Sequence, residues 1–121
     1  MKTTGPKKLE TIKTIAALER HYRKTKQAIW LDIAERLKKP SRQRASINLW
    51  KLEKLCEIFD KKTLIVPGKI LGFGEITKHV TVIALEYSAD AKKKISEKGK
   101  ALTILEALAG KHEPKNLVIV K

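Results

Sequence analysis

From Leu9 onward apolar side chains recur at helical spacing. Ile12, Ile15, Ala16, Leu18 and Tyr22 are interleaved with Lys13, Glu19, Arg20 and Arg23, and the period predicts a first helix over roughly residues 8–24. A second helix begins near Ala28, with Ile29, Trp30, Ile33, Ala34 and Leu37 as its buried set. Pro40 stops it, because the residue before a proline is pushed out of the α region. Asn48 stands where it can cap a third helix through about Glu57, which exposes Lys51 and Lys54 and buries Leu52 and Leu55.

After Asp60 the pattern turns β-like. "TLIVP" (63–67) is a short β-branched run ended by proline, and "VTVIALEY" (80–87) is a longer one. Between them lies a glycine-rich loop, "GKILGFGEITKH". Ser88 can cap a helix to about Lys98, with Gly99 as its stop. Ala101–Leu102 suits a brief strand, Thr103 with Glu106 makes a capping box for a short helix ended by Gly110, and "NLVIV" (116–120) reads as a final buried strand. Strands separated by short helices imply parallel crossovers. The expected architecture is α/β: basic N-terminal helices, then a small mixed α/β unit. Met1–Lys8 reads as a flexible basic arm. Residues 9–121 read as one domain with a helical basic half to residue 60 and an α/β half after it.

Composition changes the picture from fold to partner. Of 121 residues, 42% are hydrophobic, enough for a core, but 27 Lys+Arg stand against 13 Asp+Glu, a formal charge of +14. A compact body with that excess repels itself, and a polyanion is the natural relief, nucleic acid before a membrane surface. Residues 1–62 hold 17 cationic and 7 acidic side chains, net +10, and all five arginines fall at positions 20, 23, 36, 42 and 44. Arginine's planar fork grips phosphate bidentately where lysine cannot. The densest run surrounds Pro40: Arg36, Lys38, Lys39, Arg42, Arg44 and Lys51, with no acid inside it. Proline and Ser41 hold this run in a turn, whereas a solvated helical face would more often alternate sign.

Candidate chemistry is thin by comparison. "VPGKILGFGE" (66–75) fails the P-loop pattern because Gly68-Lys69 is followed by Ile70, and Thr77 stands where a dinucleotide fingerprint needs a third glycine. Two readings of it stay open and are compatible. One is a tight turn requiring positive φ, the other a loop whose bare backbone approaches phosphates beside Lys69 and Lys78. His21, His79 and His112 lack metal-ligand spacing, and the lone Cys56 reads as a packed core thiol rather than a nucleophile. Trp50, flanked by Leu49 and Leu52, reads as core rather than as a base-stacking platform. No catalytic pair, cofactor motif, signal pattern or transmembrane run is present, so the expectation is a soluble cytoplasmic protein that is not an enzyme.

"IWLDIAERLKKPSRQRASINLWKLEK" and "VPGKILGFGEITKHVTVIALEYSADAKKKI" together resemble the large-ribosomal-subunit protein family designated eighteen-e, which is related to the bacterial large-subunit protein numbered fifteen. The likeness rests on Trp30 with Asp32, Ala34 through Leu37 before Lys39-Pro40, Asn48-Leu49, Pro67-Gly68-Lys69 with Leu71-Gly72 and Gly74, and Val80 through Val82. It continues through Ala84, Ser88, Ala91 and Ile95, and spans about residues 9–121 in one register. The resemblance implies an irregular β-β-α arrangement and an architectural role without turnover, bound to large-subunit ribosomal RNA beside neighbouring ribosomal proteins. The length looks archaeal. Gly99-Lys100, where relatives often carry two glycines, and Phe73 in the glycine loop are departures. The implied RNA contacts fall on Arg36, Lys38, Lys39, Ser41, Arg42, Arg44, Asn48, Lys51, Gly68, Lys69, Gly72 and Lys78. A stand-alone RNA-binding regulator would carry the same charge and is the alternative.

Overall fold

The computed structural model describes residues 9–39, 45–59, 62–110 and 117–120. Helix α1 (Leu9–Thr25) is followed after two residues by α2 (Ala28–Leu37). The turn between them is closed locally. Lys26 takes φ +60 and its N–H reaches the Tyr22 carbonyl at 2.7 Å, while the Thr25 hydroxyl donates to the His21 carbonyl at 2.9 Å. Trp30, Ile33, Ala34 and Leu37 are buried as the periodicity predicts. On α1 the buried stripe is Thr11, Thr14, Ile15 and Leu18, and Ile12 and Ala16 face outward. Two threonines thus take places that the hydrophobic pattern assigns to Ile12 and Ala16.

Strand β1 (Ala45–Asn48) follows, then α3 (Leu49–Ile58), β2 (Thr63–Leu71) and β3 (Thr81–Tyr87). The chain continues as α4 (Ala89–Lys98), β4 (Lys100–Thr103), α5 (Ile104–Ala109) and β5 (Leu117–Ile119). The helix boundaries read from the pattern hold to within about two residues, which is the usual fraying margin. Ser88 accepts from the Ala91 N–H, and Thr103 and Glu106 form the reciprocal capping box. Asn48 occupies the N-cap of α3, but its side chain makes no capping bond.

Every strand pair is parallel. β3 runs along one side of β2 and β4 along the far side of β3. On the other side of β2 two short strands lie end to end: β5 opposite Thr63–Ile65 and β1 opposite Gly68–Leu71. Two corrections to the pattern follow. Residues 45–48 form a strand where the sequence suggests only a connector, and β2 does not end at Pro67 but continues through it. A proline inside a central strand removes a ladder donor, and here it sits at a bulge. The β2–β3 register slips by one residue between Val66 and Lys69, in the stretch that also separates the β5 and β1 pairings, so the ladder does not call on the missing N–H.

The sheet separates two apolar layers. Leu64, Val66 and Ile70 meet Leu49, Leu52 and Cys56 of α3 and Ala91 and Ile95 of α4. Ile65 and Ile83 point the other way, against Ile15 and Leu18 of α1, α2, and Ile104 and Ala107 of α5. A helix–sheet–helix sandwich results, with strands buried on both faces as parallel sheets require. β2 and β3 are joined by residues 72–80 without a helix, and α4 follows β3, which is the irregular β-β-α order.

Candidate nucleic-acid interface

The β1–β2 register decides what the basic turn lies beside. Ala45 pairs with Gly68, Ser46 with Lys69 and Asn48 with Leu71. The segment that leaves the turn therefore enters the sheet at the bulge, alongside the glycine and lysine of the Pro-Gly-Lys stretch. Lys69 is the exposed position of β2, whereas Gly68 is buried. Pro40, Ser41, Arg42 and Arg44 lie outside the described residues, as do the arm 1–8 and His112.

The described cations at the start of the run are not unbalanced, although no acid interrupts them in sequence. Arg36 Nε binds Asp32 at 3.0 Å, and Lys38 Nζ binds Glu35 at 2.8 Å and Glu19 of α1 at 2.9 Å. Hydrogen bonds to Glu35 and then Glu19 push the Lys38 ammonium above its usual pKa. Lys38 ties the end of α2 to α1, so part of the cationic turn is a strut. Lys39 and Lys51 are exposed.

The glycine loop runs between the first turns of α3 and α4. Gly74 takes φ +110, and a Cβ there would stand 2.5 Å from the Trp50 nitrogen. A Cβ on Gly72 would stand 2.7 Å from Asp90 Cβ. The positive-φ turn inferred from the glycines is therefore made at Gly74, among the described residues, and only a glycine lets the loop lie this close to α3. The Trp50 N–H, an orphan donor at a helix start, reaches the Phe73 carbonyl at 3.2 Å. Lys94 of α4 supplies the remaining bonds: Nζ donates to the Gly74 carbonyl at 2.9 Å and the Gly72 carbonyl at 3.2 Å, and pairs with Glu75 at 3.3 Å. Further along, the Thr77 hydroxyl and N–H both donate to Glu53. Partial burial raises the Glu53 pKa, but bonds from Thr77 and the Lys78 amide outweigh it and leave the carboxyl below its ordinary value. Lys78 lies against Glu57 at 3.6 Å, toward the far end of α3, away from the other predicted contacts.

Trp50 is 45% exposed and Phe73 74%, which corrects the reading of Trp50 as core. The Lys54 ammonium lies over the Trp50 ring, 5.4 Å from its centroid. Across the sheet, α1 and α5 border an open groove of about 440 Å³ lined by Ala17, Arg20, His21, Arg23, Lys24 and Leu108. Arg20, Arg23 and Lys24 share one face at i, i+3, i+4. None of the three has an acidic partner among the described residues. Sequence reasoning centred on the basic turn misses them, although their helical spacing is readable in the sequence.

The titratable groups that catalysis would use are dispersed. Cys56 is buried, and burial, then the Glu53 charge, pushes its thiol up to about 11. His21 packs edge-on against Trp30, centroids 5.0 Å apart, and His79 is exposed in the loop. Among the described residues no group of His, Cys, Asp and Glu could hold a metal ion, and no helix is long and apolar enough to cross a membrane.

Comparison with known proteins gives these surfaces a context. Residues 27–102, from the start of α2 into β4, match the family described as ribosomal proteins 50S-L15 and 50S-L18e with their 60S counterpart. Large ribosomal subunit protein eL18 of Nanoarchaeum equitans is 41% identical over 123 aligned residues, covering 99% of each chain. The eL18 of Haloarcula marismortui is 36% identical over 88% of this chain and 90% of its own, and that of Sulfurisphaera tokodaii 41% over 81% and 82%. The matched span holds the Pro-Gly bulge, the clamped glycine loop and the end of α2 in one stretch, and on that likeness the chain belongs to the 50S-L15 and 50S-L18e family of ribosomal proteins.

Proposed function

We propose that this protein is a structural constituent of the large ribosomal subunit, held on folded ribosomal RNA by phosphate contacts, and that it performs no catalysis. The observation that carries the reading is the near full-length likeness to proteins named for that subunit, in a chain with formal charge +14. Phosphate contacts position a protein without reading base sequence, and folded RNA is recognised largely by shape. The contacts assigned are Arg36, Lys38, Lys39, Ser41, Arg42, Arg44, Asn48, Lys51, Gly68, Lys69, Gly72 and Lys78. In this reading residues 9–121 act as one unit, with residues 1–8 as an arm that orders against RNA and neighbouring ribosomal proteins packed on the rest. The β1–β2 pairing supports the assignment, because it anchors the chain leaving the turn to the strand that carries Lys69.

The test compares two double substitutions in binding to large-subunit RNA over a range of salt. Arg42→Ala with Arg44→Ala should weaken binding by about 2–4 kcal/mol at moderate salt and leave the melting of the free protein nearly unchanged. Lys7→Ala with Lys8→Ala should cost less, because a free arm loses more entropy on binding than a connector held at both ends. The wild-type affinity should fall by orders of magnitude from low to moderate salt. A flat salt response, or a larger loss from the arm than from the turn, refutes the assignment.

A further inference from the structure

Two large aromatic side chains stand in solvent at one place on the surface, and nothing in the phosphate-binding account uses them. Phe73 is 74% exposed and Trp50 45%, and their backbones are joined by the Trp50 N–H···O=C Phe73 bond of 3.2 Å. The loop that carries them is tied on every side. Gly74 is wedged against Trp50, Gly72 against Asp90, and the three donors of Lys94 are spent on the Gly72 and Gly74 carbonyls and the Glu75 carboxylate. Thr77 bonded to Glu53 fixes the far side of the loop. Holding two exposed rings on a backbone so thoroughly tied lowers the ordering cost of any ligand that uses them.

The charges around the rings favour one class of ligand. Lys54 sits over the indole and Lys51 is exposed on the same first turns of α3. Lysines are depleted from the cores of protein–protein interfaces, whereas aromatic rings among cations are the usual means of holding unpaired nucleotides. A base can stack on a ring while Lys51 and Lys54 meet its phosphates.

We infer that Trp50 and Phe73 form a stacking platform for unpaired RNA bases, beside the lysines that hold the RNA backbone. This rests on the RNA-binding reading above and adds to it a preference for single-stranded over duplex segments at this corner. It concerns these two side chains, not the basic turn.

The wild-type protein and the variant Trp50→Ser with Phe73→Ser are titrated with an oligoadenylate of about 12 nucleotides and with an RNA duplex of similar length. Phe73→Ser alone, at the more exposed position, is carried as a second variant in case the double change unfolds the protein. Tryptophan emission is a direct reporter, because Trp30 is buried and only Trp50 can meet a base. The single strand should quench wild-type emission, and the double variant should lose about tenfold to a hundredfold in affinity for it, with Phe73→Ser intermediate. Duplex affinity should stay within about twofold, since it depends on phosphate contacts. Unchanged single-strand affinity in both variants, or no quenching by bound oligoadenylate, overturns the platform and leaves the phosphate account standing. If the variants keep full RNA affinity but no longer co-sediment with large subunits, the rings face a protein and the inference is wrong. If wild-type protein binds neither RNA at low salt, the RNA-binding reading itself fails.

Discussion

Gly99 ends α4 in an extended conformation, φ −163, that any residue can adopt, so its smallness matters through space and not through backbone freedom. A Cβ built there lies 1.9 Å from the Val80 carbonyl oxygen, 2.7 Å from its nitrogen and 2.8 Å from its carbonyl carbon. All three are backbone atoms of a buried residue, so none can swing aside. The same Val80 oxygen accepts the Lys100 N–H at 2.9 Å, the bond that starts the β3–β4 pairing, while the Gly99 N–H closes α4 on the Ile95 carbonyl at 2.7 Å. Gly99→Ala must therefore push the end of α4 off the sheet or pull Lys100 away from Val80. Overpacking of this kind costs about 1–3 kcal/mol, and a lost backbone bond adds about 0.5–1.5 kcal/mol. Alanine also restricts the unfolded chain, which returns about 0.4–1 kcal/mol. The net expectation is a destabilisation of about 2–3 kcal/mol, read by urea unfolding as a lower midpoint with an unchanged slope. A variant as stable as wild type would show that α4 slides at no cost, and the tight contact would not be a constraint on the fold.

Removing the α5 cap with Thr103→Ala should cost about 0.5–2 kcal/mol in the same assay, since it leaves the Glu106 N–H without its acceptor. Both Glu53 and Glu106 are held below their ordinary pKa of 4.5, Glu106 by bonds from Thr103, so their contribution is present above that pH and is lost as pH falls through the depressed folded values. Thermal midpoints should fall on acidification below about 4.5, and Thr77→Val, which removes one of the Glu53 donors, should flatten that slope. Because burial raises the Cys56 thiol to about 11, it should react with a disulfide reagent at about pH 8 only as fast as the protein opens, and fast labelling of the native state would contradict the packing.

The secondary structure was legible wherever a local rule decides it. Ser88 and the Thr103–Glu106 pair mark two helix starts by chemistry confined to four residues, and both caps form as read. Trp50 could have been read better. Leu49, Leu52 and Cys56 form the buried stripe at i, i+3, i+7, and Trp50 falls one position off it, on the same face as Lys54 at i+4. Leucines nearby on either side in sequence say little about which way a helical residue faces. β1 was not legible, because "ASIN" has no alternation and exists as a strand only through β2. Pro67 concealed the length of β2, since the missing donor is harmless only where the register slips. The Lys94 clamp and the Lys38–Glu19 bridge join residues about twenty apart on different elements, and no local pattern announces such pairs.

The shared side of β2 has a mechanical consequence. Force transmitted along residues 40–44 enters the sheet at Ala45 and loads β1, four residues that grip only the second half of β2. β5 grips the first half by its own bonds, across the break at Pro67. A tug from a partner on the turn can peel β1 without unzipping β5 or parting α1 and α2 from the sheet, because the two clasps share no hydrogen bond. Ile47 and Leu49, both buried, set how hard that peel is. The attachment of the turn thus yields locally under strain, and the rest of the body keeps its shape.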